Sequence, residues 1–141
     1  MNNPRAFISF DFDNNETEKH LFAGQSKHSE TPFNIEDWSS KSALPQAVWE
    51  SMIEDKIKKS NMVIVLVGRS TYNATGVKKE IAFADKHNVP CFGVYVSGAG
   101  AFTTLPVGLE RSRVISWGWD SIASKVSQMM REGKNRVARY L

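Results

Sequence analysis

The chain has 141 residues, 41% of them hydrophobic and 23% charged, and carries a formal net charge of +3. That length suffices for one compact domain over residues 1–141, and the composition excludes disordered, collagen-like and coiled-coil chains. With Cys91 as the one cysteine there is no internal disulfide, and a tetrahedral zinc site would have to draw on three scattered histidines, His20, His28 and His87; no metal is expected. A reducing, cytoplasmic setting fits this cysteine usage. The polar start from Met1 to Arg5 lacks the form of a signal peptide, and no run approaches the roughly 18 apolar residues of a membrane helix. Much of the basic excess lies in Arg131, Lys134, Arg136 and Arg139, which reads as a solvated helix end, so neither nucleic acid nor a membrane is expected as a partner.

Ala6-Phe7-Ile8-Ser9-Phe10 opens the chain as a short strand, and the acidic segment from Asp11 to Asn15 follows it. A helix from about Glu16 to Gln25 comes next, with a thin apolar face of Leu21 and Phe22. Phe33 to Trp38 alternates apolar and polar residues as a second strand, and Ser39 to Ser42 is loop. After Pro45, which suits a helix start, Val48, Trp49, Met52, Ile53 and Ile57 recur on one helix face. Met62 to Val67 is apolar without alternation, as a central strand covered on both faces requires. A helix from about Thr75 to Asn88, a strand from Pro90 to Val96, a Gly-rich loop to Gly108, a short strand at Val114-Ile115 and a helix from about Asp120 complete the order. Such alternation predicts a doubly wound parallel sheet of five strands with helices on both faces. Ligands of such sheets bind at the carboxyl ends of the strands, which directs attention to Asp11–Asn14, Trp38–Ser40 and Gly68–Thr71.

At about 100° per residue, Val77, Ile81 and Ala84 share one face of the helix after strand three, and Lys78, Lys79, Asp85 and Lys86 face the other way. Glu80 falls on the apolar arc. Burying a lone carboxylate is costly, so Glu80 has a partner, lines a cleft, or sits at the rim of the face near the positive end of the helix dipole. His87 lies on the same side two turns later and reads as an ordinary surface histidine. Asp11 and Asp13 suit a magnesium site, hydrogen bonds to a ligand's hydroxyls, or loop capping. Trp38 suits ring stacking or edge packing. A phospho-acceptor receiver domain is excluded because it needs an aspartate where this chain has Gly68-Arg69-Ser70. A P-loop, a dinucleotide fingerprint and a Gly-x-Ser-x-Gly elbow are all missing, and Cys91 falls inside a strand, away from nucleophilic work.

With these residues in place, the chain resembles the TIR (Toll/interleukin receptor) superfamily and, within it, the bacterial TIR-like proteins of the Thoeris antiphage systems. The pieces that carry the likeness are Phe7-Ile8-Ser9-Phe10-Asp11, Asp37-Trp38-Ser39, Val65 to Tyr72 running on to Val77-Lys78-Lys79-Glu80-Ile81, and Val114 to Ile122. The resemblance implies a flavodoxin-like fold and, for catalytic members, a glutamate on the helix after strand three that cleaves the nicotinamide–ribose bond of NAD. Glu80 occupies that place, with Phe10, Asp11, Phe12, Asp13, Trp38, Ser39, Ser70 and Thr71 as the implied substrate-binding residues. NAD would be substrate rather than cofactor. The product would be ADP-ribose or a cyclic or conjugated signal nucleotide, passed as a diffusible message to a separate effector. The family's frequent tryptophan four residues before the glutamate is here Gly76. Self-association or a phage-derived trigger protein is the implied activator, acting through the polar loop from Ser39 to Leu44. The rival reading is a non-catalytic TIR module that signals by self-assembly.

Overall fold

The computed structural model describes residues 4–28, 33–38 and 44–135. Strand β1 (Arg5–Ser9) leads to helix α1 (Glu16–His28), β2 (Asn34–Trp38), α2 (Gln46–Lys58), β3 (Met62–Val67), α3 (Thr75–Lys86), β4 (Cys91–Tyr95), β5 (Val114–Ile115) and α4 (Trp119–Met130). All neighbouring strands pair in parallel, in the order β2-β1-β3-β4-β5. This is the flavodoxin-like order, and the direction of winding reverses between β1 and β3.

The continuous apolar run of β3 is explained by the two layers that cover it. Its six residues are all buried and point alternately to opposite faces, as the period of two in a strand demands. Met62, Ile64 and Leu66 join Ala6, Ile8, Phe22 of α1, and Ile122 and Val126 of α4 in one cluster. Val63, Val65 and Val67 join Phe7, Ile53 and Ile57 of α2, and Val77, Ile81 and Ala84 of α3 in the other. Helices α1 and α4 therefore cover one face, and α2 and α3 the other. Among the described residues, no helix is long and apolar enough to cross a membrane.

Helix α1 shows why a thin apolar face can still dock. Phe22 is fully buried, whereas its neighbour Leu21 is 53% exposed. The Phe22 ring meets Trp119 at 5.2 Å, Trp117 at 5.7 Å and Phe33 at 6.1 Å between centroids. Both indole N–H groups, of Trp117 and Trp119, donate to Gln25 Oε1 at 3.1 Å. One aromatic residue with several ring partners replaces the usual stripe, since each such pair adds to plain area burial. Phe22→Ala should accordingly lower stability by about 3–5 kcal/mol, while Leu21→Ala should change it by less than about 0.5 kcal/mol. Denaturant unfolding of the two variants checks this, and equal effects would show that α1 is not anchored through Phe22.

Candidate active site

Alternation along β1 sends Ala6, Ile8 and Phe10 to the α1/α4 side and Phe7 to the α2/α3 side, so Ser9 also faces α3. Ser9 is fully buried, and its Oγ donates to Glu80 Oε1 at 2.7 Å across 71 positions of sequence. Glu80 is 0% exposed. Helix α3 holds it there through Val77, Ile81 and Ala84, which are buried on the same face. A carboxyl group kept inside the apolar interface of a helix and a parallel sheet is costly unless hydrogen-bonded, and Ser9 supplies one such bond.

Above Glu80, at the carboxyl ends of β1 and β3, opens a cleft of about 710 Å³. Phe10, Asp11, Phe12, Asp13 and Asn14 form one wall, Ser70 and Asn73–Val77 a second, and Leu44, Gln46 and Trp49 the third, with Lys79 and Glu80 completing the lining. The rings of Phe10 and Phe12 stack at 5.7 Å, and the Lys19 ammonium lies 5.7 Å from the Phe10 centroid. Asp11 is 6% exposed; its carboxylate accepts from the Asp13 backbone N–H at 3.2 Å and from Asn14 Nδ2 at 2.7 Å, the bonds of loop capping. Among the described residues, no group of three or more His, Cys, Asp or Glu is gathered as a metal site would need.

The loops after β1 and β3 are locked together. The Gly68 N–H donates to Thr71 Oγ1 at 2.8 Å, and Thr71 Oγ1 lies 3.3 Å from Asn15 Oδ1. Asn15, 4% exposed, also donates its own N–H to the Asp11 carbonyl at 2.7 Å. Gly68 leaves room for the Asn15 amide, because a β-carbon there would stand 2.7 Å from it and Asn15 would have to shift. Helices α2 and α3 are joined by ion pairs, Lys79 to Glu50 beside the cleft and Lys86 to Glu54 at 2.8 Å farther down, where Glu54 also lies within hydrogen-bond distance of His87 Nε2 at 2.5 Å. Hydrogen bonds from Lys86 first and His87 second hold the Glu54 carboxyl below its usual range.

Of the residues expected from the sequence, Phe10, Asp11, Phe12, Asp13, Ser70 and Glu80 line this one cleft. Thr71 does not: it is fully buried, and its hydroxyl is turned inward onto Gly68, Asn15 and the Leu66 carbonyl. The backbone of Trp38 pairs with Ile8 at the β1–β2 register, but its side chain, Ser39 and the loop to Lys41–Ala43 fall outside the described residues. His87 ends α3 against Glu54, away from the cleft lining. Burial pushes the Cys91 thiol up to about 12, against the pull of Arg113, which leaves it a poor nucleophile. Trp49, Gln46 and Asn73 were not foreseen. Trp49 had been readable only as part of the apolar face of α2, and it does pack there, yet the same side chain reaches the cleft.

Fold and site together define a flavodoxin-like domain with a buried glutamate under a cleft at the switch point of its sheet. The family model for the Thoeris protein ThsB, TIR-like domain, matches residues 7–101, and the chain belongs to that family. Among solved structures, a crystal structure of a prokaryotic SEFIR domain is similar at 14% identity over 91% of this chain and 90% of that one, with a TM-score of 0.49. No curated protein matches the chain.

The contact around Gly68 yields a direct test. Gly68→Ala should displace Asn15, break its link to Thr71 and cost about 1–3 kcal/mol. Unfolding measurements would read the loss, and unchanged stability would show that the two loops are not latched through Asn15.

Proposed function

We propose that the protein is a TIR-type enzyme that consumes NAD by cleaving the bond between nicotinamide and ribose. The observation that carries this reading is the fully buried Glu80, hydrogen-bonded by Ser9 and lining the cleft. As the C1′–N bond breaks, its electron pair leaves with the nicotinamide nitrogen, which becomes neutral, and positive charge develops on the ribose. Glu80, as a carboxylate beside the ribose hydroxyls, stabilises that charge from a side chain that is itself buried. Attack by water on C1′ then gives ADP-ribose, and attack by another nucleophile gives a cyclic or conjugated product, cyclic where the nucleophile belongs to the same nucleotide. We favour the cyclic product, as a diffusible signal for a separate effector in antiphage defence, in line with the Thoeris family match. Phe10, Asp11, Phe12, Asp13, Ser70, Trp38 and Ser39 would bind substrate. Thr71 would position the loop that carries Ser70. The reading sets the protein in the cytoplasm, where NAD is supplied.

One observation favours the other reading, a non-catalytic assembly module. Phe102 is 101% exposed and Val107 80% exposed, both in the segment between β4 and β5, and apolar side chains so exposed suit contact with another protein.

The experiment is nicotinamide release from NAD by the purified chain. Glu80→Gln keeps the shape of the side chain and loses its charge, so the variant should stay folded and release no nicotinamide. Ser9→Ala should lower kcat about tenfold with KM nearly unchanged, because a small misplacement of the carboxylate is felt mainly in the transition state. Wild-type turnover in a folded Glu80→Gln protein would overturn the assignment.

The second expectation concerns activation by self-association or by a phage-derived trigger. Release per subunit should be low in dilute protein and rise with concentration or on adding the trigger. A high, flat rate in protein shown to be monomeric would refute gating by assembly.

A further inference from the structure

The ammonium of Lys79 stands where the proposed reaction gives it no task. Among the described residues that line the cleft, Asp11, Asp13 and Glu80 are acidic, and Lys79 alone is basic. Lys79 directly precedes Glu80 on α3, so two neighbouring positions of one helix, about 100° apart, bring an ammonium and a carboxyl group to the same cavity. Glu80 is fully buried against the sheet, whereas Lys79 leans on α2 through Glu50 and keeps 34% of its side chain exposed. A lysine stem laid along the protein with its charge at the wet edge satisfies both parts of the side chain. Glu50 itself is not part of the lining. An ammonium has three donors, and among the described residues Glu50 is the acceptor that Lys79 meets. The carboxylate thus holds the charge at the wall, with donors left for a ligand in the cleft.

A lining with this balance of charge repels an anion unless the anion is seated at the ammonium. NAD poses that problem, because the diphosphate joining its two halves carries negative charge on both phosphates. With the nicotinamide ribose at Glu80, the 5′ carbon of that sugar leads directly to the first phosphate. The phosphate therefore lies one sugar away from Glu80 and needs a cation at that range, and the lining offers Lys79. Thr75, one turn earlier on the same side of α3, and Ser70 are also lining residues, and each carries a hydroxyl. Hydroxyl donors beside an ammonium suit the oxygens of a phosphate, which only accept.

We propose that Lys79 anchors the phosphate next to the nicotinamide ribose and so makes the site selective for nucleotides over nucleosides. This rests on the NAD-cleaving reading of the cleft. The phosphate keeps its charge as the bond to nicotinamide breaks, so the anchor holds ground state and transition state alike. Lys79 then sets KM and leaves kcat to Glu80. Glu50 competes with the phosphate for the same ammonium, and its charge tempers the affinity.

The test compares wild type with Lys79→Met, which keeps the stem and loses the charge, and with Glu50→Gln, which breaks the same ion pair and keeps the ammonium. Circular dichroism checks that each is folded. Binding of ADP-ribose, measured by titration calorimetry, should weaken about tenfold in Lys79→Met. In Glu50→Gln it should be as tight as in wild type or tighter. Added salt should weaken ADP-ribose binding more in wild type than in Lys79→Met. In kinetics, Lys79→Met should raise KM for NAD about tenfold with kcat within about threefold, and should lower the preference for NAD over nicotinamide riboside, in kcat/KM, by about tenfold. If the ion pair served only to brace α2 against α3, the two variants would lose affinity equally. That equality, an unchanged affinity in Lys79→Met, or a wild-type protein with no affinity for ADP-ribose would overturn the inference. Calorimetry reads binding alone, so the expected pattern in a protein that releases no nicotinamide would uphold the phosphate anchor and overturn the cleavage reading instead.

Discussion

Everything about the cleft depends on keeping a carboxyl group where the fold would otherwise put a hydrocarbon. Glu80 occupies a core position of α3, between Val77 and Ala84, and faces the buried end of β1. The Ser9 hydroxyl meets it at 2.7 Å. That contact fixes two otherwise independent choices. Strand β1 must bring a hydroxyl, not an aliphatic group, to its last position. Helix α3 must also lie on the sheet with one particular rotation and height. Val77, Ile81 and Ala84 set the rotation by packing onto the β3 valines, and the ion pairs of Lys79 and Lys86 with α2, together with the His87 hydrogen bond to Glu54, hold the neighbouring helix alongside.

The cleft exists because the winding of the sheet reverses between β1 and β3. The helices that follow these strands leave on opposite faces, α1 with α4 and α3 with α2, and the loops diverge around the strand ends. Divergent loops would be slack without a tie, and Asn15, Gly68 and Thr71 provide it by joining the start of α1 to the turn before α3. Buried and mutually bonded, these groups gain rigidity from the same low dielectric that would penalise any one of them left alone. The tie joins the two loops that carry Phe10–Asn14 on one side of the cleft and Ser70 with Asn73–Val77 on the other.

Much of this was legible in the residues alone. The unbroken apolar run of β3, the 3.6-residue pattern of α2 and the single carboxylate on the apolar arc of α3 are local patterns, and each led to the element or position observed. What was not legible depends on partners distant in sequence. The two-residue face of α1 gains its strength from Phe33, Trp117 and Trp119, and no window around Phe22 contains them. Thr71 was assigned to the cleft because it ends the β3 loop, but its hydroxyl satisfies the backbone N–H of Gly68, and nothing in the sequence shows that this donor would otherwise be buried. Trp49 was read as core because it falls on the apolar face of its helix. A large side chain at the end of a buried face can pack on one edge and line a cleft with another, and periodicity does not separate the two.

The departures from local rules are concentrated. A serine stands at a fully buried strand position, a glutamate on an apolar helix face and a glycine in the first turn of the same helix, and each would be destabilising if moved to an ordinary position in this fold. The remaining core of β3, α2 and α4 follows the expected pattern with aliphatic residues throughout. Ser9 and Glu80 are joined by a hydrogen bond, and Gly76 lies one helical turn above Glu80. Scattered faults would point to a fold tolerant of error, whereas Ser9 in contact with Glu80, and Glu80 and Gly76 both on the lining of one cleft, indicate that the stability lost there is tied to what the cleft does.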